Sequence, residues 1–116
     1  MKTYNMKLMT KYFDYIKFGS KRIELRLNDE KRQNIKIGDE IIFEELADNS
    51  RHLKTKVINL YYENNFNDLI EKYDIELFAD KHTTKKELIK LLNNIYSQEE
   101  QEKYGIVGIR IELCEE

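Results

Sequence analysis

The amino-acid sequence predicts an α+β fold, and three features of its pattern support that prediction. Segments in which apolar and polar residues alternate dominate the first half, two segments with helical apolar spacing follow, and an alternating segment closes the chain. Strands and helices are therefore grouped along the chain instead of alternating one by one. With so few strands, we expect a curled mixed sheet or small barrel with helices at one side, covering the sheet edges.

The first half contains one short helix and several strands. After an extended start, apolar residues recur at helical spacing over about 11–18, with Thr10 as the expected N-cap and Gly19 as the expected C-cap glycine. Residues 22–27 then alternate between charged and apolar side chains, which predicts a half-buried strand.

The remaining strands are separated by turn signals. Residues 28–34 are polar and form a loop or a single helical turn, and Gly38-Asp39 marks a turn before a strand at 41–43. A long strand is expected at 53–62, which is rich in β-branched and aromatic residues. Residues 107–113 alternate again and predict the closing strand.

The middle of the chain is helical. Residues 66–73 and 88–95 carry apolar side chains at positions i, i+3, i+4 and i+7, which indicates two amphipathic helices. Thr84 and Glu87 predict a capping box before the second of them. The segment Ser97–Glu100 repeats that pattern and predicts a short last helix.

Composition limits the class of protein. The chain has 116 residues, of which 41% are hydrophobic and 36% charged, so one domain over residues 1–116 with a real core is expected. No stretch approaches the roughly 18 apolar residues of a membrane span. The single cysteine, Cys114, has no internal partner, and no apolar signal segment follows Met1, so a cytoplasmic protein is expected.

Charge is unevenly distributed along the chain although the net charge is only −2. Residues 17–36 hold seven basic and three acidic side chains, while residues 95–116 hold six acidic and two basic ones. The first segment predicts a local basic patch that attracts phosphates, and the alternative is ordinary solvated surface. The acidic total argues against histone-like binding of duplex DNA.

Several familiar kinds of site are excluded by their missing patterns. His52 and His82 lack further ligands at metal spacing, so no metal site is expected. The four glycines are scattered and form no phosphate-binding loop, and no cofactor motif is present. Cys114 lies far from either histidine in sequence and is a poor candidate for a thiol nucleophile.

One segment carries a concentration of chemistry-bearing side chains. Glu24 and Arg26 are two residues apart on a predicted strand and therefore share a face, beside Arg22, while Lys21 stands at the strand entrance. A lysine beside a carboxylate in a partly dry pocket can act as a proton shuttle or an anion clamp. The alternative is an ion pair on a solvated face, which contributes little.

These residues resemble the signature of the ASCH domain family, a member of the PUA-like superfamily with small stand-alone bacterial and archaeal representatives. The signature Gly-x-Lys-x-x-Glu-x-Arg is matched by Gly19, Lys21, Glu24 and Arg26. Two further blocks are similar, at 35–43 (Ile-x-x-Gly-Asp-x-Ile-x-Phe) and at 104–109 (Tyr-Gly-Ile-x-x-Ile). The resemblance implies a PUA-like, barrel-like fold with a cleft that the signature Lys, Glu and Arg face.

The resemblance also implies two kinds of activity. Kinship with PUA domains implies RNA binding, whereas one bacterial branch is an amidohydrolase that deacetylates N4-acetylcytidine with the signature Lys and a Thr three residues later. Lys21 matches that Lys, but Glu24 stands where the Thr would be. A carboxylate there would act as a general base toward water, or would raise the pKa of Lys21 and keep it protonated.

The sequence therefore predicts a protein that binds RNA or a nucleoside-like ligand. The alternatives are a small amidohydrolase acting on acylated nucleosides, with Lys21 and Glu24 as the catalytic pair, and a protein interaction module. The expected ligand-binding residues are Lys21, Arg22, Glu24, Arg26 and Tyr104. Five tyrosines are candidates for stacking on a base, with core packing as the alternative: Tyr12, Tyr15, Tyr61, Tyr62 and Tyr104.

Overall fold

The computed structural model describes residues 1–114, which contain five strands, four α-helices and one 3₁₀ turn. None of the helices in this range is long and apolar enough to cross a membrane. In chain order the elements are β1 (Thr3–Leu8), α1 (Thr10–Lys17), β2 (Ile23–Leu27), β3 (Glu40–Glu45), β4 (His52–Glu63), α2 (Phe66–Ile70), the 3₁₀ turn (Ile75–Leu77), α3 (Lys85–Ile95), α4 (Gln98–Tyr104) and β5 (Ile106–Leu113).

The five strands form one mixed sheet in the order β1-β3-β4-β5-β2. β1 runs parallel to β3, and the other three pairs are antiparallel. The long strand β4 has an irregularity between Val57 and Asn59, and such bulges bend a strand and increase its twist. The sheet curls into a half-barrel, which confirms the predicted α+β class. Its two edge strands, β1 and β2, flank a gap that we call the open seam.

Apolar side chains pack in two clusters on this sheet. One joins α1 to β1, β3, β4 and β5 and includes Phe13, Phe43 and Ile109, all fully buried. The other joins β2 to α2 and α3 around Phe66 and Phe78. The amphipathic stripes of the two middle helices therefore belong to the second cluster, as the helical spacing indicates.

The strand β2 is more buried than its alternating pattern suggests. Four of its five residues are buried and only Arg26 is partly exposed, so the prediction of a half-buried strand is wrong. The alternation predicted that the side of β2 with Glu24 and Arg26 faces solvent. Tertiary packing instead covers these two charged side chains. Helix α2 also packs directly on the neighbouring strand, because a Cβ at Gly108 would lie only 2.5 Å from Leu69 Cδ2.

Helix ends show where local sequence rules hold. Ser97 and Glu100 form the expected capping box, whereas only one half of the box predicted at Thr84 and Glu87 is present, in which the Thr84 side chain accepts from the Glu87 backbone N–H. Thr10 is the first helical residue of α1 and not its cap, which is Met9 without a side-chain cap bond. Gly19 does not adopt the left-handed cap conformation; a side chain there would place its Cβ 2.9 Å from a backbone oxygen of α1.

Candidate functional site at the open seam

A cleft of about 210 Å³ lies at the open seam. The end of β1 and the strand β2 form two of its sides, α1 contributes Tyr12, and α3 covers it from above. Most of the lining is apolar: Leu8, Met9, Leu25, Phe78, Leu88, Leu91, Leu92 and Ile95. Against this apolar wall stand three charged side chains, Lys21, Glu24 and Arg26, which we call the cleft triad.

The cleft triad is a carboxylate shared by two cations. Lys21 Nζ lies 3.1 Å from Glu24 Oε1, and Arg26 Nη2 lies 2.8 Å from Glu24 Oε2. Arg26 Nε also donates to Oε2, at 2.8 Å. Exposure rises along the triad, with 3% of the Lys21 side chain, 8% of Glu24 and 15% of Arg26 accessible to solvent. Arg26 is therefore the member nearest to solvent.

The Lys21 amino group is fully occupied by protein acceptors. Besides Glu24, Nζ donates to the carbonyl oxygens of Ile23 at 2.7 Å and Phe78 at 3.0 Å. Three acceptors match the three N–H bonds of an ammonium group, and a neutral amine could satisfy only two of them. The geometry therefore describes a charged lysine with no lone pair and no spare donor.

Arg26 spans the open seam. Its Nη2 donates to the backbone carbonyl of Lys7 on β1 at 3.0 Å, so a β2 side chain reaches the other edge strand. No backbone ladder joins β1 to β2 among residues 1–114, and this contact takes its place locally. The triad thus lines the cleft and connects the two edge strands across the open seam.

Burial and pairing act in opposite directions on the pKa values of the triad. Burial alone would raise the pKa of Glu24, but the charges of Lys21 and Arg26 outweigh it and hold that pKa below its usual range. Burial lowers the pKa of Lys21 although Glu24 opposes the shift, so the predicted rise is wrong. For Arg26, the attraction of Glu24 outweighs burial and raises the pKa. Glu24 is therefore a weak base.

Two of the predicted binding residues lie outside the cleft lining. The Arg22 guanidinium donates to the backbone carbonyl of Ile16, in the last turn of α1, at 3.1 Å and to that of Lys21, before β2, at 2.6 Å. It therefore does not stand beside Glu24, because the unpaired carbonyls of the helix end bind it instead. Tyr104 ends α4 and packs against the second apolar cluster. A binding role for either residue stays a prediction.

Only one of the five candidate tyrosines lines the cleft. Tyr12 does so, and Tyr15 packs against it edge to face with ring centroids 5.6 Å apart. Tyr61 packs against Tyr73, and Tyr62 is exposed on β4. The cleft has a second tyrosine, Tyr96, which the sequence analysis did not single out.

Helix α3 supplies the cleft wall that the sequence analysis missed. Its apolar stripe was interpreted as core, yet Leu91 is only partly buried and 53% of Ile95 is exposed. Both line the cleft, as does Tyr96 directly after the helix. One sequence signal could have indicated this wall: the apolar stripe continues to Ile95, the last residue of the helix.

The predicted basic patch is much reduced in the folded protein. Within residues 17–36, Lys21 and Arg26 share Glu24, and Arg32 lies 3.2 Å from Asp29. Three lysines of the segment remain exposed: Lys17, Lys31 and Lys36. The acidic segment 95–116 is described only to residue 114, and Glu115 and Glu116 lie outside the described residues. Within residues 1–114, no three acidic, histidine or cysteine side chains are grouped as metal ligands.

Comparisons with known proteins agree with this architecture. The chain is similar to hypothetical protein PH0355, whose crystal structure has a TM-score of 0.84 and 38% identity, covering 98% of this chain and 100% of that one. It is also similar to protein PF0455 from Pyrococcus furiosus, solved by solution NMR, with a TM-score of 0.77, 34% identity and complete coverage of both chains. No curated protein matches significantly. The ASCH domain family model matches residues 6–115.

ASCH domains are PUA-like domains often linked to RNA binding. The match spans nearly the whole chain and includes the cleft triad, the turn at Gly38 and the closing strand β5. The protein therefore belongs to the ASCH domain family.

Proposed function

We propose that this protein binds RNA in the cytoplasm by receiving one nucleoside unit in the cleft at the open seam. The observation that carries the proposal is the cleft triad, in which three charged side chains are held by hydrogen bonds against an otherwise apolar wall. Small-molecule sites have this composition, with apolar walls and a few fixed polar groups that orient the ligand. The family's link to RNA makes a nucleoside the fitting class of ligand.

Size and shape support a single nucleoside over a larger ligand. The volume of about 210 Å³ is below the roughly 300–1,000 Å³ of pockets for drug-sized molecules. Tyr12 and Tyr96 both line the cleft and offer aromatic surfaces for a flat base. Stacking on aromatic side chains is the usual way in which proteins bind unpaired bases, and contributes roughly 1–3 kcal/mol per base.

The alternative of an amidohydrolase finds less support in the geometry. Lys21 has no lone pair to accept a proton, since all three N–H bonds of its ammonium group have acceptors. The lowered pKa of Glu24 makes that carboxylate a poor general base, and position 24 offers no hydroxyl nucleophile. Hydrolysis would require the triad to rearrange around the substrate.

NMR titration of the ¹⁵N-labelled protein with single-stranded RNA and with cytidine tests the proposal. We expect shifts concentrated at β2, α3 and Tyr12. Ile95→Glu places a charge on the exposed cleft wall and should reduce RNA affinity about tenfold or more, because a carboxylate there repels phosphates and displaces the base. The matched control is Ile58→Glu, on a residue 39% exposed on β4 and outside the cleft lining, which should bind like the wild type.

Absence of RNA and cytidine binding at low salt, or equal losses in the two variants, would contradict the proposal. Incubating the same samples with N4-acetylcytidine distinguishes RNA binding from the amidohydrolase alternative. Release of cytidine at a rate that Ile95→Glu abolishes would identify the protein as a hydrolase.

A further inference from the structure

The cleft triad carries an excess positive charge. Two cations, Lys21 and Arg26, share the single carboxylate of Glu24, so one positive charge has no anionic partner within the triad. All three side chains are at least about four-fifths buried, and burial of an uncompensated charge is costly. A fourth charged residue lining the cleft, the exposed Lys7, adds to the same sign. In a chain of net charge −2, the cleft is a local positive site.

Unused hydrogen-bond donors in the cleft outnumber unused acceptors. Arg26 uses Nε and Nη2 on Glu24 and Lys7, whereas its Nη1 has no acceptor in residues 1–114. The hydroxyls of Tyr12 and Tyr96 likewise have no hydrogen-bond partner within that range, and burial raises the pKa of both phenols, so they stay protonated. Both Glu24 oxygens already accept from cations.

This arrangement also determines where in the cleft a charged group would lie. Lys21 is the most buried member of the triad and has no free donor, so the inner part of the cleft offers mainly Phe78, Leu88 and the Tyr12 ring. Arg26 is the least buried member and contacts Lys7, which is exposed on β1. Free donors are therefore concentrated on the Arg26 side.

We propose that the cleft selects a nucleotide over a nucleoside, with the base against α3 and a phosphate at Arg26 and Lys7. The inference rests on the proposed function, since it names the form of ligand that the same site takes. A phosphate supplies the negative charge that the triad lacks and the oxygen acceptors that the free donors need. Glu24 is a less favourable acceptor for an exocyclic amine, because both of its oxygens already accept from cations.

Isothermal titration in phosphate-free buffer compares cytidine with cytidine 5′-monophosphate on the wild-type protein. A hydrogen bond to a charged group contributes roughly 1.5–3 kcal/mol, so the nucleotide should bind at least about tenfold more tightly. The advantage should shrink as salt increases. A cytidine dinucleotide with an internal phosphodiester distinguishes the source of the phosphate. Tighter binding of the dinucleotide supports an RNA chain, and tighter binding of the monophosphate supports a free nucleotide or an RNA 5′ end.

Two exposed lysines provide matched variants. Lys7→Gln removes the cleft-side charge and should reduce the ratio of nucleotide to nucleoside affinity severalfold. Lys56→Gln removes another exposed charge, on β4 and outside the cleft lining, and should leave that ratio as in the wild type.

The possible results separate this inference from the proposed function. Equal affinities for cytidine and its monophosphate would overturn the inference while leaving nucleoside binding intact. An affinity ratio that Lys7→Gln does not change, or that Lys56→Gln changes as much, would also overturn it. Failure of both ligands and of RNA to bind would overturn the proposed function, and this inference with it.

Discussion

Two groups of three charged side chains in this protein have opposite arrangements of charge. In the cleft triad, one carboxylate lies between two cations, and none of the side chains is more than 15% exposed. In the second group, one cation, Arg51, lies between two carboxylates, 2.7 Å from Asp14 Oδ1 and 3.2 Å from Glu45 Oε2. Arg51 and Asp14 are 30% and 39% exposed, so water screens that pair, whereas the Glu45 side chain is only 5% exposed.

The comparison teaches that contact distance does not measure the importance of an ion pair. Both groups have oxygen–nitrogen distances near 3 Å, but loss of the central charge would leave two buried cations in the cleft triad and a single buried carboxylate, Glu45, in the Arg51 group. The Arg51 group connects α1 to β3 and to the loop after it, and its exposed pair of Arg51 and Asp14 contributes little. Burial therefore determines which group controls the fold and the candidate site.

The largest expected effect is that of removing the shared carboxylate. Glu24→Thr restores the hydroxyl of the amidohydrolase branch, but it also leaves Lys21 and Arg26 buried without an anion. We expect a loss of about 3–5 kcal/mol in the free energy of unfolding, because breaking a buried pair exposes the full desolvation cost of its partners. Urea denaturation followed by circular dichroism measures it. A loss no larger than that of Asp14→Asn would contradict the comparison.

A triple variant shows whether the cleft triad serves stability at all. Replacing all three charged members by apolar residues (Lys21→Met, Glu24→Leu, Arg26→Met) should recover much of the stability that Glu24→Thr loses, because no buried charge remains. The same variant should lose RNA binding if the triad serves the ligand.

A smaller effect is expected from acid. The folded-state pKa of Glu24 lies below its unfolded value of about 4.3, so its contribution to stability is fully present above that pH. The contribution is lost as the pH falls through the folded-state pKa. Urea denaturation at a series of pH values from about 6 down to about 3, which spans the unfolded pKa, should therefore show wild-type stability falling more steeply than that of the triple variant. Parallel curves would show that Glu24 has an ordinary pKa.

The smallest effect is expected for the exposed pair of Arg51 and Asp14. Asp14→Asn removes this pair and leaves Arg51 on the buried Glu45, so it should change the melting temperature only slightly, and the difference from the wild type should vanish in high salt, because screening already removes most of the attraction. Thermal unfolding at low and high ionic strength tests this. A large decrease that persists in high salt would show that Asp14 holds the Arg51 guanidinium in its packing over Phe13, 4.6 Å from the ring centre.

Local patterns predicted the elements better than they predicted their surroundings. Three local patterns depend on residues close together in the sequence, and each predicted its element correctly: the stripe on α3, the cap at Ser97 and the alternation in β5. The prediction that β2 is half-buried, by contrast, is wrong. Its charged side is covered by residues of α1 and α3, and α3 is distant from β2 in sequence. The division of the chain into one domain stays a prediction.

In the candidate site, too, local spacing predicted some features and tertiary packing decided the others. The spacing of Lys21, Glu24 and Arg26 placed these residues together, since three charges within six positions at a strand entrance have little freedom to separate. Arg22 followed the same spacing, yet its side chain binds the end of α1. Tyr96 carried no local signal, because it meets Arg26 and Tyr12 in one cleft only after α3 has packed over β2.

The sequence by itself determined the class of fold, the order of the elements and the identity of the charged residues, since periodicity and spacing act over a few residues. Only the tertiary structure decided the charge state and use of those residues. The charges of Lys21 and Arg26 make Glu24 a weak base despite its burial, three acceptors make Lys21 a saturated donor, and the open seam leaves Arg26 as the triad member with a free donor. These properties depend on solvent exclusion by residues far apart in the chain, which no local pattern records.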